Sequence, residues 1–210
     1  LVAHYPLDEG TSARVRDESG RGSHGQVHGA TWIRTGTGWF LQFDGQDDYV
    51  ECGAGAALDQ TGMLSLTAWV LPDDTPATEV GICGKHYASY LLSHYKDGQA
   101  YWYIGSGANH AHTALPVGCW THLAGTFDGK SLRLYANGEL VCERASSCDR
   151  APSGRTFRIG CVLGDPTADD VNYTQSGFFC GCIADVRVYD RALTEEEVRS
   201  QNRTGAAGRF

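Results

Sequence analysis

The sequence lacks the features of several functional classes. Its 210 residues include 17 basic and 25 acidic side chains, which give a formal net charge of −8, and no Lys/Arg cluster is present. This balance argues against nucleic acid as a partner. No apolar run approaches the ~20 residues that a helix needs to cross a bilayer, so we expect no membrane insertion. The chain opens directly on the strand-like segment 1–5, and we expect a mature or excised module.

The cysteines also lack a familiar metal-binding pattern. There are eight of them, and none forms the CxxC pairs of a zinc ribbon. An even number favours disulfides in an oxidising compartment, whereas the alternative is a set of small buried side chains in a reducing one. Cys142 and Cys148 could close a local loop, and Cys180 and Cys182 lie on one face of a predicted strand. The sequence leaves the pairing open.

Short segments of alternating apolar residues dominate what is present. Residues 63–71 alternate cleanly, and turn dipeptides such as Asp44-Gly45 and Asn137-Gly138 separate the segments. About a dozen such strands follow one another, a pattern typical of sandwiches and jelly rolls. The sequence therefore predicts an all-β fold, a two-sheet antiparallel jelly-roll sandwich, with residues 1–210 forming a single domain.

The last part of the chain adds a helix and one unexpected charge. Thr194 and Glu197 have the spacing of a capping box, which predicts a short C-terminal helix. The preceding segment 178–193 is an apolar strand that contains Asp185. A buried carboxylate without a partner costs several kcal/mol, so Asp185 must either face solvent or have a partner.

A series of motifs follows in a fixed order along the chain: HYPLDEG at 4–10, DESGRG at 17–22, FDGQDDYV at 43–50, LTAWV at 66–70, GCWTHLAGTFDG at 118–129, LRLYANG at 132–138 and GCIADVRVYDRAL at 181–193. Their order resembles that of the LamG-like jelly-roll family, within the concanavalin A-like lectin/glucanase fold, over about residues 5–200. The resemblance implies an extracellular module that binds carbohydrate or protein, is often attached to polysaccharide-active enzymes and frequently holds a structural calcium ion.

Calcium requires six to eight oxygen ligands, from carboxylates and accessible loop carbonyls. Asp17, Gly20 and Asp44 lie in loops of this character, and Asp185 could complete the site if the last strand runs beside the N-terminal segment. We therefore predict these four as metal ligands. Alternatively, Asp17 and Asp44 cap their own turns, and Asp185 faces solvent or pairs with Arg187. Relatives usually have a second acidic residue where this chain has alanine, just before Asp185.

Catalytic motifs are missing. Enzymes of this fold that cleave β-glucans carry Glu-x-Asp-x-x-Glu along one strand, which aims the carboxylates into a groove. This chain has no such strand, and its acidic run 195–197 opens the helix instead. A Gly-x-Ser-x-Gly motif is absent too. We expect a protein without enzymatic activity.

Two regions could bind a ligand. Region 85–112 is rich in aromatic and polar residues, which suits sugar recognition, and contains His110-Ala-His112, the one HxH spacing in the chain. Alternation places Tyr101 and Tyr103 opposite Trp102, so one of these sets belongs to the core and the sequence leaves open which. Loop 164–173 is acidic and long, although it could be merely a solvated connection. The predicted ligand-binding residues are His86, Tyr87, Tyr95, Trp102, Asp165, Asp169, Asp170, Asn172 and Tyr173.

Together these features predict a non-catalytic, lectin-like carbohydrate-binding module with a structural calcium ion. It would act outside the cytoplasm, as part of a larger secreted polysaccharide-active or cell-surface protein, with a glycan or polysaccharide as its partner. The alternative is an extracellular protein-interaction or adhesion module that binds no glycan.

Overall fold

The strands pair into two antiparallel sheets in a computed structural model that describes residues 1–36, 38–148, 150–162 and 177–206. Sheet A contains β1 (Ala3–Tyr5), β4 (Thr31–Thr35), β5 (Gly38–Asp44), β7 (Leu64–Pro72), β12 (Thr121–Phe127), β13 (Ser131–Ala136), β14 (Glu139–Ala145) and β16 (Cys180–Tyr189). Sheet B contains β2 (Arg14–Val15), β3 (Gly25–His28), β6 (Tyr49–Glu51), β8 (Val80–His86), β9 (Tyr90–Tyr95), β10 (Gln99–Ile104), β11 (Ser106–Ala114) and β15 (Arg158–Ile159).

The strand order of each sheet brings distant parts of the chain together. Sheet A runs β14-β13-β12-β7-β16-β5-β4, with β1 paired to β16, and sheet B runs β11-β10-β9-β8-β15-β6-β3-β2. The first strand of the chain therefore lies beside the last one, in the register His4 opposite Arg187. The predicted all-β, two-sheet architecture is confirmed.

Alternation along the strands builds the core between the sheets. Leu64, Leu66, Ala68 and Val70 of β7 are fully buried, as the pattern of this segment predicts. From sheet B, the Trp102 ring packs so closely over sheet A that a Cβ atom on Gly125 would lie 2.3 Å from it. Glycine at 125 is therefore what allows the largest core side chain to fit.

Two segments show what a simple alternation pattern does not reveal. Segment 26–32 is divided between β3 and β4, because Gly29 has a φ of 74° and turns the chain from sheet B to sheet A. Strand β11 is the second case. It is an edge strand of mostly small and polar residues, and pairing with β10 rather than hydrophobic alternation holds it in place.

The C-terminal helix α1 (Glu195–Ala206) begins at the predicted capping box. The Thr194 N–H donates to Glu197 Oε2 at 2.9 Å, and the Glu197 N–H donates to Thr194 Oγ1 at 3.3 Å. Val198 packs the helix onto the outer side of sheet A, against Ala124 and Tyr135. Within the described residues, no helix combines the length and the apolar character that spanning a membrane requires.

The cysteines do not show the expected disulfides. All eight lie in described parts of the chain, and the structure joins none of them in a disulfide. Cys52, Cys83 and Cys161 are buried in the sandwich, where burial raises the pKa of each thiol. In the structure these three side chains therefore have the alternative role, that of small buried residues.

Candidate functional site

Asp17 caps its own loop. Its carboxylate accepts the backbone N–H groups of His4 at 3.0 Å, Ser19 at 2.9 Å and Ser23 at 2.9 Å. Burial alone would raise the pKa of Asp17, but these hydrogen bonds hold the pKa below its ordinary value. Gly20 lies in the same loop with a φ of 82° and supplies the turn. The arrangement is the turn-capping alternative that the sequence left open.

The carboxylate of Asp185 contacts two side chains of the protein, His4 and Arg187. Asp185 lies at a β-bulge of β16 with a φ of 50°, and its N–H donates to the Pro6 carbonyl. Its Oδ1 is 2.8 Å from His4 Nε2 and 2.9 Å from Arg187 Nε. Burial works to raise the pKa of Asp185, but the hydrogen bond to His4 and the charge of Arg187 keep the pKa low. The contact between His4 and Asp185 thus joins the last strand to the first, and the ion pair with Arg187 lies within the last strand.

Asp44 belongs to a separate acidic group. One oxygen each of Asp44, Asp47 and Asp48 lies within 4.8 Å of the others. Asp48 is buried, and burial together with the charges of Asp44 and Asp47 raises its pKa. Sequence reasoning missed Asp47 and Asp48, although their clustering in FDGQDD was a signal.

The four predicted metal ligands do not meet at one place. Asp44 lies opposite Cys180 on β16, and Asp185 follows five residues later on that strand, roughly 15 Å away at ~3.3 Å per residue. Within the described residues, three side chains do bring possible ligand atoms together, and they are Asp44, Asp47 and Asp48.

The outward side of sheet B carries a cluster of rings on β9, β10 and β11. We call this cluster the aromatic face. The cross-strand register places Tyr101 opposite His112 and Tyr103 opposite His110, so these four side chains point the same way. Its members are Tyr95, Tyr101, Tyr103, His110 and His112, all partly exposed except Tyr103, which is buried.

The rings of the aromatic face support one another. Tyr101 is at the centre: its ring is stacked on Tyr103 at 5.6 Å and on His112 at 5.1 Å, and meets the edge of Tyr95 at 5.4 Å. Contacts of this kind hold aromatic side chains in fixed orientations before any ligand arrives. The result is a rigid, half-exposed aromatic platform.

Hydrogen-bonding groups lie beside the platform. The Tyr101 hydroxyl donates to Asp97 Oδ2 at 2.9 Å, and burial together with this carboxylate raises the pKa of Tyr101 to about 12. On the neighbouring strand, Ser93 Oγ donates to Glu79 Oε1 at 2.6 Å. The surface therefore combines aromatic rings with anionic acceptors, and it has the makeup of a site for hydroxyl-rich ligands.

The structure sorts the residues predicted in region 85–112. Tyr95 belongs to the aromatic face, and Tyr87 lies at its margin with a ring 6.4 Å from that of Tyr103. His86 is buried behind Tyr87, at 3.9 Å between ring centroids. The prediction that Trp102 binds a ligand was wrong. Its side chain is fully buried between the sheets and donates to the Thr126 carbonyl, so it presents no surface to a ligand.

The predicted loop ligands Asp165, Asp169, Asp170, Asn172 and Tyr173 lie outside the described residues. Val162, the last described residue before that segment, packs with Leu91 and Tyr103 at the aromatic face.

A family model described as the concanavalin A-like lectin/glucanases superfamily, of the laminin G type, matches residues 44–199. The chain belongs to this superfamily. The earlier resemblance, which rested on the order of the motifs, is confirmed.

Several known proteins are similar to the chain over different extents. The mouse pentraxin-related protein PTX3 is 36% identical over 100 residues, which make up 43% of this chain and 24% of that protein. Domain 4 of AbnA, a GH43 extracellular arabinanase from Geobacillus stearothermophilus in complex with arabinotriose, has a TM-score of 0.70 at 19% identity, over 95% of this chain and 97% of that one. The botulinum neurotoxin serotype G binding domain has a TM-score of 0.76 at 15% identity, over 98% and 51%.

Proposed function

We propose that the chain is a non-catalytic carbohydrate-binding module and that the aromatic face is its binding surface. The observation that carries this proposal is the packed group of Tyr95, Tyr101 and Tyr103 on the outward side of sheet B, in which the rings of Tyr95 and Tyr101 are partly exposed. Domain 4 of the arabinanase, which has the same fold, was solved with arabinotriose, and this supports the same class of ligand here.

The chemistry of the face fits a sugar. The C–H surface of a sugar ring packs on an aromatic face, and its hydroxyls donate to neighbouring acceptors. Asp97 and Glu79 supply such acceptors next to Tyr101 and Ser93. Because these groups and the net charge of −8 are acidic, a neutral glycan is favoured over a polyanionic one, and nucleic acid is disfavoured.

No reaction is part of the proposal. Asp97 and Glu79 are assigned a binding role only, as acceptors beside the Tyr101 and Ser93 hydroxyls. A retaining glycosidase would need a pair of carboxyls ~5 Å apart across a scissile bond. A hydrolysis screen on the polysaccharides that bind should therefore release no sugar, and reproducible release that depends on Asp97 or Glu79 would contradict the proposal.

Affinity electrophoresis through gels that contain neutral polysaccharides tests the binding. The intact chain should be retarded by at least one of them, and Tyr101→Ala should weaken binding about tenfold, which corresponds to ~1.4 kcal/mol of lost stacking. Tyr49→Ala is the matched control, because Tyr49 is a partly exposed tyrosine on β6, four strands away in sheet B and stacked on His28. Full retardation of the Tyr101 variant would place the ligand elsewhere, and no retardation on any glycan would refute the proposal.

A protein-interaction module is the second candidate, and edge strand β14 favours it. Leu140 and Val141 on this strand are 40% and 44% exposed, and β14 has no neighbour on its outer side in the described part of the chain. A partner segment could add to this edge as a further strand. Binding of a protein that is lost in Val141→Lys, but kept in Tyr101→Ala, would support this candidate.

The calcium ion implied by the family resemblance stays a proposal, with a changed location. Asp44, Asp47 and Asp48 would hold it, because they bring three carboxylates together. Burial and the charges of Asp44 and Asp47 raise the pKa of Asp48, and a bound cation would offset the repulsion among the three carboxylates. If calcium binds there, a chelator lowers the melting temperature of the intact chain but not that of Asp48→Asn. An unchanged melting temperature would count against the ion.

We further propose that the protein acts outside the cytoplasm. Support comes from the superfamily and from the arabinanase, whose description names it as extracellular. An oxidising compartment allows disulfides to form, and thiol titration of denatured protein from its natural source tests whether they do. Fewer than eight reactive thiols would mean that disulfides form there, and eight would agree with the absence of disulfides among the described residues.

A further inference from the structure

Two histidines stand side by side on the outward face of the edge strand β11. His110 lies opposite Tyr103 and His112 lies opposite Tyr101, so both imidazoles point away from the core, and both are partly exposed. We propose that His110 and His112 form a binding site for a divalent transition-metal ion such as Zn²⁺ or Ni²⁺. The inference stands on these residues alone and does not depend on glycan binding.

The spacing of the two rings suits a shared ion. Their centroids are 5.6 Å apart, and their planes are inclined at 40°. A metal–nitrogen bond of about 2.1 Å puts the ion ~3.2 Å from each imidazole centroid, so two rings on one ion have centroids about 5–6 Å apart. The observed separation falls in this range without any movement of the backbone.

Hydrogen bonding fixes the tautomer that a metal needs. His110 Nδ1 lies 2.9 Å from the carbonyl oxygen of Gly107. Because a carbonyl only accepts, Nδ1 must carry the proton, and Nε2 of the neutral ring then keeps its lone pair. A hydrogen bond from the second ring nitrogen to a carbonyl is the usual support of a metal-binding histidine.

The two ring nitrogens of His112 differ in their availability to an ion. Its Nδ1 is buried and has no hydrogen-bond partner among the described residues. Because Nδ1 is shielded from solvent, an ion that arrives from the surface would bind at Nε2, while Nδ1 keeps the proton of the neutral ring.

The surroundings orient both ligands. The Tyr101 ring lies 5.1 Å from His110 and 5.1 Å from His112, so little side-chain freedom is lost when an ion binds. Imidazole nitrogen selects zinc, nickel and copper, whereas calcium prefers oxygen, so this site is distinct from the acidic group around Asp44. Two protein ligands leave positions for water, and we expect a dissociation constant on the order of 10 µM.

Isothermal calorimetry with ZnCl₂ on the intact chain tests the site, after alkylation of the exposed Cys119 to remove a competing ligand. One ion should bind per chain, and His110→Gln and His112→Gln should each weaken binding at least tenfold. His28→Gln is the matched control, since His28 is also partly exposed on sheet B and stacked on a tyrosine, Tyr49. Thermal melting of each variant checks that it is folded.

Equal zinc binding by all four proteins would overturn the proposal, as would the absence of binding to the intact chain. An excess of CaCl₂ provides a second readout, because it should leave the zinc titration unchanged. Displacement of zinc by calcium would assign the heat to carboxylates and overturn the histidine site.

Discussion

At the scale of single residues, Asp185 explains why an acidic side chain occurs within the last apolar strand. It adopts a left-handed conformation at the bulge of β16, which aspartate tolerates better than most residues. The bulge lets the carboxylate reach His4 and Arg187, and the first and last strands are thereby joined by a side-chain contact as well as by strand pairing.

Asp185→Asn should destabilise the protein by about 2 kcal/mol at pH 7. The amide keeps the shape and tolerates the backbone conformation, but the partly buried Arg187 loses its charged partner. Urea unfolding at pH 7 measures the change. Asp190→Asn is the control, because Asp190 is an exposed aspartate directly after the same strand, so a loss of a few tenths is expected. Equal losses in the two variants would contradict the assigned role of Asp185.

His122 should make stability depend on pH. Burial is the main cause that lowers the pKa of His122 to about 4, against an unfolded value of ~6.5. The unfolded chain then binds a proton that the folded chain does not, so the contribution of His122 is complete above pH ~6.5 and is lost as the pH falls toward 4. The loss amounts to roughly 3 kcal/mol.

Urea unfolding between pH 7 and pH 4 measures this effect, and His122→Gln should show a correspondingly flatter dependence. His28→Gln, at a partly exposed position, should behave like the intact chain. Parallel pH profiles for the intact chain and the His122 variant would mean that other groups are responsible.

At the scale of elements, helix α1 shows how local sequence and packing share the work. The capping box starts the helix, and Val198 attaches it to the outer side of sheet A. The box was predictable because its hydrogen bonds join residues only three positions apart. The docking surface was not, since it depends on which strands lie beneath the helix.

Thr194→Ala should cost about 1 kcal/mol of stability, because it removes the hydroxyl that accepts the Glu197 N–H. Thr204→Ala is a matched control in the same helix: its hydroxyl donates to the Ser200 carbonyl, which already belongs to the helix, and the change should be within a few tenths. Chemical denaturation of both variants provides the comparison, and equal losses would remove the cap as the explanation.

At the scale of the whole molecule, β16 is central, because it pairs with β1, β5 and β7. Strands from the beginning, middle and end of the sequence thus share one sheet. We therefore predict that residues 1–210 behave as a single domain and unfold in one transition, with equal calorimetric and van't Hoff enthalpies. Differential scanning calorimetry measures both enthalpies, and two resolved transitions would contradict the prediction.

The sequence by itself determined the class of fold. The signals that identified the elements are local: the alternation of 63–71, the turn dipeptides and the capping box at Thr194. They indicate the type of each element because side chains repeat every two residues in a strand and about every 3.6 residues in a helix. The motif order added the family, which the match over residues 44–199 confirmed.

Only the tertiary structure decided what each side chain does. Alternation shows that β10 has two faces, but it does not show which face is buried. The packing of sheet B on sheet A determines that Trp102 belongs to the core and that Tyr101 faces outward. Asp185 contacts Arg187 beyond the bulge of its own strand and His4 of the first strand, and the aromatic face is assembled from three strands by register. Such contacts depend on which strands become neighbours, and local sequence patterns do not contain that information.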